Sequence, residues 1–249
     1  MVNPVVLTDA DNTLWDTDSV FSDAQLRLLS SVEKMTAEPY TKDDRLEFVR
    51  RYDQALAAIH HAHLKYPPTL LVRALEMALH GTDPSTAATV VCRGGHSSSL
   101  EQSAIDLAVE EYFAMLGRLP KLLPMVRDGL EQLRQAGILP YVLTEGKIEK
   151  QKKILLHYSL TDLVSGIFEV TKDRAQFERL RLRFSPAEVV IIGDQIDRDV
   201  IPAKAAGCST VLVPGRFRPY WHREDQASEA SVVGSTFAEG VHWILQRPR

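Results

Sequence analysis

One stretch near the start of the chain decides how the rest is interpreted: Val5-Val6-Leu7-Thr8-Asp9-Ala10-Asp11-Asn12-Thr13-Leu14. It begins as a short apolar run, which is typical of a buried strand, and ends abruptly in two carboxylates. Carboxylates at the edge of a core are electrostatically costly unless a cation lies close by. Asp9 and Asp11 therefore indicate a functional site, although a strand followed by an Asx-rich turn explains these residues equally well.

The composition is that of a globular protein. Of the 249 residues, 45% are hydrophobic and 25% are charged, so the chain can bury one large core or two smaller ones. A net charge of −4 argues against a nucleic-acid or anionic-membrane partner. Because the apolar runs are too short to cross a bilayer and residues 1–16 do not resemble a signal peptide, a cytoplasmic location is predicted. Cys92 and Cys208 form no disulfide framework or CxxC pair.

Residues 18–116 show helical periodicity and no strand signal. Breaks divide this region into four or five predicted helices, and they lie at Glu38-Pro39, Tyr66-Pro67-Pro68, Gly81-Thr82-Asp83-Pro84 and Gly94-Gly95. His60, His61 and His63 lie close together within it. Since a zinc site usually needs more ligands, we expect a solvated or partly packed helix face there.

From Pro120 onward the pattern alternates between helix and strand, which is typical of a parallel sheet with helices on both faces. The predicted strands are residues 138–143, 166–170, 189–192 and 210–213. Helices are predicted between them, and a closing helix is predicted over residues 236–246.

Polar side chains follow the ends of these strands. In chain order they are Asp9 and Asp11, Thr144, Lys172, and Asp194 with Asp199. The carboxyl ends of strands in an open parallel sheet line one crevice, where ligands bind. Taken singly, each residue has an ordinary explanation as a helix cap, a surface charge or a first-turn acid. Together they predict one site, because independent strand ends would otherwise carry suitable groups by chance.

These residue types suit phosphoryl transfer. Asp9, Asp11 and Asp194 supply hard oxygen ligands of the kind Mg²⁺ prefers. The Thr144 hydroxyl, backbone N–H groups and the Lys172 ammonium would bind phosphoryl oxygens. Asp9 is placed to attack phosphorus and become an aspartyl phosphate. Asp11 is placed to protonate the leaving alcohol and then to take a proton from the hydrolytic water.

The same residues resemble the motifs of the haloacid-dehalogenase-like (HAD) hydrolase superfamily. Within it, the chain resembles the phosphatase-type members that carry a cap domain. Its four motifs are found in order as Asp9-Ala10-Asp11-Asn12-Thr13, Thr144, Lys172, and Gly193-Asp194 to Asp199. The resemblance covers the whole chain. It implies a Rossmann-like α/β core, formed by residues 1–16 and 119–249, and an inserted all-helical cap domain formed by residues 17–118.

The resemblance also implies roles for single residues. Asp9 is the implied nucleophile and Asp11 the acid/base, with Mg²⁺ held by Asp9, the backbone carbonyl of Asp11, and Asp194. Asp199 is implied to support the metal from nearby, through water or by orienting Lys172. An acid at position 11 favours phosphate esters over carbon–halogen bonds, because a halide leaving group needs no proton.

Two alternatives to a phosphatase stay open besides a dehalogenase. A phosphomutase would use the same machinery but would have to exclude water. A phosphorylatable receiver-like module would bind rather than catalyse, but receivers are single domains without a long helical insertion.

Substrate identity is the least determined part of the prediction. The expected partner is a small-molecule phosphate ester, and the expected assembly is a monomer or a homodimer. Thr144, Glu145, Gly146 and Lys172 are predicted to bind the substrate, with Arg93 from the cap. Glu145 stands where relatives often have Asn, so it either points away or selects a substrate with a positive group. Two roles are possible for the segments Arg93–His96 and Arg216–Arg223: each either contacts the substrate or is an ordinary surface loop.

Overall fold

The computed structural model describes residues 3–42, 44–60, 66–95, 98–222 and 224–247. The chain forms two compact units: Met1–Asp18 with Leu119–Arg249, called the sheet unit here, and Ser19–Arg118, called the helical unit. The first boundary lies two residues later than the sequence prediction. Thr17 and Asp18 stay with the sheet unit because the Thr17 hydroxyl donates to Asp11 and the Asp18 amide donates to Asn12.

Five helices make up the helical unit within the part of the chain that is described. They are α1 (Thr17–Thr36, which begins in the sheet unit), α2 (Arg45–Ile59), α3 (Pro68–Leu79), α4 (Pro84–Cys92) and α5 (Gln102–Leu116). Asp44 and Asp83 cap α2 and α4 by accepting hydrogen bonds from backbone amides of the first turn. The apolar faces of the helices form a separate core, with Leu28, Val49, Leu75 and Ile105 fully buried or nearly so.

The sheet unit contains a six-stranded sheet in the order β5-β4-β1-β6-β7-β8. Its strands are β1 (Val5–Asp9), β4 (Tyr141–Thr144), β5 (Gly166–Glu169), β6 (Val189–Gly193), β7 (Ser209–Leu212) and β8 (Val232–Val233), and all neighbouring pairs are parallel. A separate antiparallel ribbon joins β2 (Trp15–Asp16) to β3 (Lys121–Leu122). The predicted Rossmann-like α/β class is confirmed.

Helices cover both faces of the sheet. They are α6 (Val126–Gln135), α7 (Ile148–His157), α8 (Arg174–Arg183), α9 (Ile201–Ala205) and α10 (Phe237–Gln246). Successive strand residues point to opposite faces: Val6 packs in the core under α6, α7 and α10, and Leu7 packs in the core under α8 and α9. Continuous apolar strands such as β6 follow from this double burial.

The register of the central strands fixes where the functional residues meet. Asp9 ends β1 opposite Leu143 of β4, so Thr144 lies one residue beyond it. On the other side of β1, Thr8 is opposite Ile192 of β6, so Gly193 and Asp194 follow at the same edge. No helix among the described residues is long and apolar enough to span a membrane.

Candidate active site

Three aspartates converge at the carboxyl edge of the sheet. Asp9 ends β1, Asp194 follows β6, and Asp199 lies in the π-helical turn Ile196–Val200. Each offers one carboxylate oxygen, and these oxygens lie within 4.8 Å of one another. The structure thus brings together three of the acids that the sequence singled out, from two neighbouring strands.

Lys172 enters the same cluster from the loop between β5 and α8. Its buried ammonium donates to Oδ1 of Asp9 and, at 2.6 Å, to Oδ1 of Asp199. Burial alone would lower the pKa of Lys172, but Asp199 and Asp9 outweigh it and raise the pKa above its ordinary value. Oδ2 of Asp199 accepts from the backbone amide of Gln195 at 3.0 Å, so both oxygens of Asp199 are engaged in fixing this arrangement.

The cluster carries more negative charge than its lysine can balance. The pKa of Asp9 is raised to about 7, because burial raises it strongly, Lys172 lowers it, and Asp199 and Asp11 raise it. Burial, with Asp9 and Asp199 nearby, also raises the pKa of Asp194 well above its ordinary value. Three carboxylates facing one ammonium in a buried site form an arrangement that a divalent cation stabilises.

Asp194 provides a direct test of whether a metal fits. Its Oδ1 is buried and has no hydrogen-bond partner among the described residues. A buried carboxylate oxygen without a donor is costly unless something else satisfies it. Since all the converging donors are carboxylate oxygens, the residues fit a hard divalent cation such as Mg²⁺ better than a softer metal.

Gly193 makes room for Asp199. A Cβ on Gly193 would lie 2.2 Å from Cγ of Asp199, which is closer than any real contact. The buried Asp199 side chain therefore packs directly against the bare backbone of Gly193. This explains why β6 ends in a glycine, although residues with side chains form strands more readily.

The carboxylate of Asp11 is held apart from this cluster by its own donors. Its Oδ1 accepts from the Thr17 hydroxyl at 2.6 Å and from the Trp15 indole at 3.3 Å. Its Oδ2 accepts from Nε2 of Gln151 at 3.2 Å. Among the described residues, the acids that share a potential metal site are Asp9, Asp194 and Asp199, so any contact of Asp11 with the metal would involve its backbone carbonyl.

The hydroxyl of Thr144 is also surrounded by donors. Its Oγ1 accepts from the backbone amide of Gly146 and from Nε2 of Gln151, both at 3.0 Å. The side chain is almost completely buried at the end of β4. Thr144 and Asp11 are thus joined through one side chain, that of Gln151.

Glu145 has a counter-charge within the protein. Its carboxylate pairs with the guanidinium of Arg198, with one contact at 3.1 Å, and accepts from the backbone amide of Lys172 at 3.0 Å. The pair ties together the loops that follow β4, β5 and β6. Arg198 therefore offsets the negative charge that Glu145 brings to this edge of the sheet.

Other predicted residues lie elsewhere. Arg93 is exposed at the end of α4, in the helical unit. His60 follows α2, whereas His61, His63 and His96 lie outside the described residues. Cys92 and Cys208 are free thiols; Cys208 is buried and Cys92 is partly exposed.

The basic and aromatic loop after β7 is anchored to the π-helical turn. Trp221 donates to Asp197 at 3.2 Å, and the His222 ring lies 2.5 Å from the other oxygen of Asp197. Arg216 is largely exposed and reaches only to 4.0 Å from Asp16. Arg223 lies outside the described residues. Trp221 and His222 are thus held within their own unit, whereas Tyr220 is exposed.

Sequence reasoning missed Gln151, Thr17 and Arg198. Gln151 was detectable in principle, because it falls on the same helical face as Ile154 and Leu155, and a polar residue on an apolar face of a helix is unusual. Thr17 and Arg198 gave no comparable signal, since polar residues at helix starts and after strands are common.

A family model described as haloacid dehalogenase-like hydrolase matches residues 4–207. No curated protein matches the sequence significantly.

Several solved structures share the fold. The candidate HAD-hydrolase YfnB from Bacillus subtilis, solved bound to magnesium, is 20% identical, with 98% of this chain and 100% of that chain covered and a TM-score of 0.63. A predicted phosphoglycolate phosphatase from Haemophilus somnus is 18% identical, with 98% of each chain covered and a TM-score of 0.61. A candidate β-phosphoglucomutase from Thermotoga maritima is also 18% identical, with 98% and 100% covered and a TM-score of 0.61.

Proposed function

Since this chain belongs to the haloacid dehalogenase-like hydrolase family, we propose that it is a magnesium-dependent phosphatase that hydrolyses a small phosphate ester through an aspartyl phosphate. The observation that carries the proposal is the convergence of Asp9, Asp194 and Asp199. The Lys172 ammonium donates to two of them, Asp9 and Asp199, and one oxygen of Asp194 is left without a donor among the described residues. This arrangement suits an anionic substrate bound together with a cation.

Magnesium would be held by the carboxylates of Asp9 and Asp194 and by the backbone carbonyl of Asp11, with Asp199 nearby. When bound, it would neutralise charge on the phosphoryl group and on the nucleophile. The magnesium-bound structure of YfnB supports this choice of cation, because that protein shares the fold. The hydrogen bonds of Asp199 to Lys172 and to the Gln195 amide support a role in orienting the lysine.

In the first step, a carboxylate oxygen of Asp9 attacks phosphorus as the bond to the leaving oxygen breaks. Lys172 fixes the orientation of Asp9 by donating to its Oδ1. Thr144 and Lys172 bind phosphoryl oxygens, and Asp11 gives its proton to the leaving alcohol.

In the second step, Asp11, now ionised, takes a proton from a water molecule that attacks phosphorus. The bond between phosphorus and Asp9 breaks, inorganic phosphate leaves, and Asp9 and Asp11 return to their starting forms. Asp11 also supports phosphate-ester chemistry over carbon–halogen cleavage, since a halide leaving group requires no proton.

The helical unit is proposed to act as the cap that selects the substrate, with Arg93 as a contributor. The ion pair of Glu145 with Arg198 favours an ordinary anionic ester over a substrate chosen for a positive group, because the carboxylate already has a partner.

A screen of phosphorylated small molecules tests the proposal. The purified protein is incubated with each ester and Mg²⁺, inorganic phosphate is measured, and the screen is repeated with EDTA and with Asp9→Asn. We expect phosphate release from at least one ester, lost in EDTA and in the variant. Transfer of phosphate within a sugar phosphate without release would identify a mutase instead. No release, or release that survives Asp9→Asn, would contradict the proposal.

A further inference from the structure

We propose that Gln151 is a positioning residue that holds Asp11 and Thr144 in the geometry required for proton transfer to the leaving group. The inference rests on the proposed phosphatase function and assigns a role to a residue outside the four motifs. Gln151 lies in the middle of α7, far along the chain from Asp11, yet its amide nitrogen contacts both side chains.

The environment of Gln151 is unusual for a glutamine. The side chain is completely buried, on a helical face that it shares with the apolar Ile154 and Leu155. Its Oε1 is buried and has no hydrogen-bond partner among the described residues. An apolar side chain of similar size would fill the site without leaving an unsatisfied oxygen, so stability alone does not account for glutamine here.

The chemistry of its partners fixes how the amide is turned. After the first step Asp11 is ionised and its oxygens only accept hydrogen bonds, so the group that faces Oδ2 of Asp11 must then be the NH₂ end of the amide. The same nitrogen then donates to Oγ1 of Thr144, at 3.0 Å, as well as to Asp11, at 3.2 Å. The amide therefore supplies one proton to each partner.

This double contact determines what Thr144 can do. Its oxygen already accepts from Gln151 and from the Gly146 amide, which uses both of its lone pairs. The hydroxyl proton is then directed outward as a donor. A donor is what a phosphoryl oxygen requires.

At Asp11, Gln151 completes the set of donors. Thr17 and Trp15 hold Oδ1, and Gln151 holds Oδ2, so the plane of the carboxyl group is fixed from both sides. Without Gln151, only one oxygen remains held and the group can rotate about its Cβ–Cγ bond. Proton transfer is sensitive to such rotation, because it requires hydrogen-bond reach to the leaving oxygen.

The dependence of kcat/KM on the leaving group provides a test, because a purely structural role of Gln151 would not change it. With the intact protein, kcat/KM is measured for Gln151→Met and wild type with p-nitrophenyl phosphate and with esters of simple alcohols. A nitrophenolate leaves without a proton, whereas an alkoxide needs one. We expect the variant to lose at least about tenfold more kcat/KM on the alkyl esters than on the nitrophenyl ester.

Two controls separate positioning from folding. Gln25→Met removes another buried glutamine, one that hydrogen-bonds the Asp53 carboxylate in the helical unit, and it should leave the ratio between the esters unchanged. Gln151→Leu provides a second apolar replacement if the methionine variant is unstable, and thermal melting checks both.

An equal loss on all esters in Gln151→Met and Gln151→Leu, with an active wild type, would overturn the Gln151 proposal alone. If the wild type releases no phosphate from any ester, the proposed function fails and this proposal fails with it.

Discussion

At the scale of single residues, the site depends on side chains that are held by more than one contact. Asp199 is fixed by Lys172 on one oxygen and by the Gln195 amide on the other, and it packs against the bare backbone of Gly193. Lys172 in turn spans Asp9 and Asp199. A displacement of one member is therefore passed to the nucleophile, because buried charged groups have few alternative partners.

Replacing Gly193 by alanine tests this dependence. A Cβ would lie 2.2 Å from Cγ and 2.4 Å from Oδ2 of Asp199, so the aspartate must shift from the position in which it accepts from Lys172. We expect kcat of Gly193→Ala to fall by about 100-fold, as misplacement of a catalytic group does elsewhere. Steady-state kinetics on the best ester from the screen measures the effect.

Gly166→Ala is the matched control for that variant. Gly166 is also a strand residue of the sheet, but a Cβ there meets Tyr141 at an ordinary 3.6 Å. Its activity should stay close to that of wild type. Equal activities for Gly193→Ala and Gly166→Ala would show that Asp199 does not need its present position.

At the scale of secondary-structure elements, close packing between helices holds the sheet unit together. Helix α10 lies against α6 at Gly129, where a Cβ would meet the buried Phe237 ring at 2.6 Å and Cα of Ala238 at 3.2 Å. The same helix meets β7 at Gly240, where a Cβ would lie 2.6 Å from Val211. Glycine at these positions lets backbone and ring approach closely, which offsets its lower helix propensity.

Gly129→Ala should therefore destabilise the protein by about 1–3 kcal/mol, although alanine is the better helix former. Thermal or denaturant unfolding measures the change. Combining Gly129→Ala with Phe237→Leu should cost less than the sum of the two single changes, since the smaller side chain relieves the clash. Additive effects, or a gain in stability for Gly129→Ala alone, would contradict the packing described here.

The positions of the secondary-structure elements also explain which site residues could be identified from the sequence. The strand ends identified Asp9, Thr144, Lys172 and Asp194, because parallel strands bring their carboxyl ends to one edge whatever their separation along the chain. Gln151 reaches Asp11 across 140 positions from the middle of a helix, where no strand end marks it. The ion pair of Glu145 with Arg198 likewise depends on how two loops approach each other, which sequence spacing does not determine.

At the scale of the whole molecule, the sequence predicted the fold class because two regions of the chain follow different patterns of apolar residues. Helical spacing fills the helical unit, and alternation of strands with helices fills the sheet unit, so each segment agrees with its final structure. The short strand β8 and the β2–β3 ribbon were not predicted, because two-residue strands carry no detectable period.

The identity of Asp9 as the nucleophile is the central claim, and trapping of the phosphoenzyme tests it most directly. In Asp11→Asn, the base for the second step is absent, so p-nitrophenyl phosphate, which needs no acid in the first step, should leave the phosphoryl group on the enzyme. Intact-protein and peptide mass spectrometry after an acid quench locate it. We expect the mass of one phosphoryl group on the peptide that contains Asp9, and none in Asp9→Asn. Phosphate on another residue, or an active wild type whose Asp11→Asn variant never becomes phosphorylated, would contradict the claim.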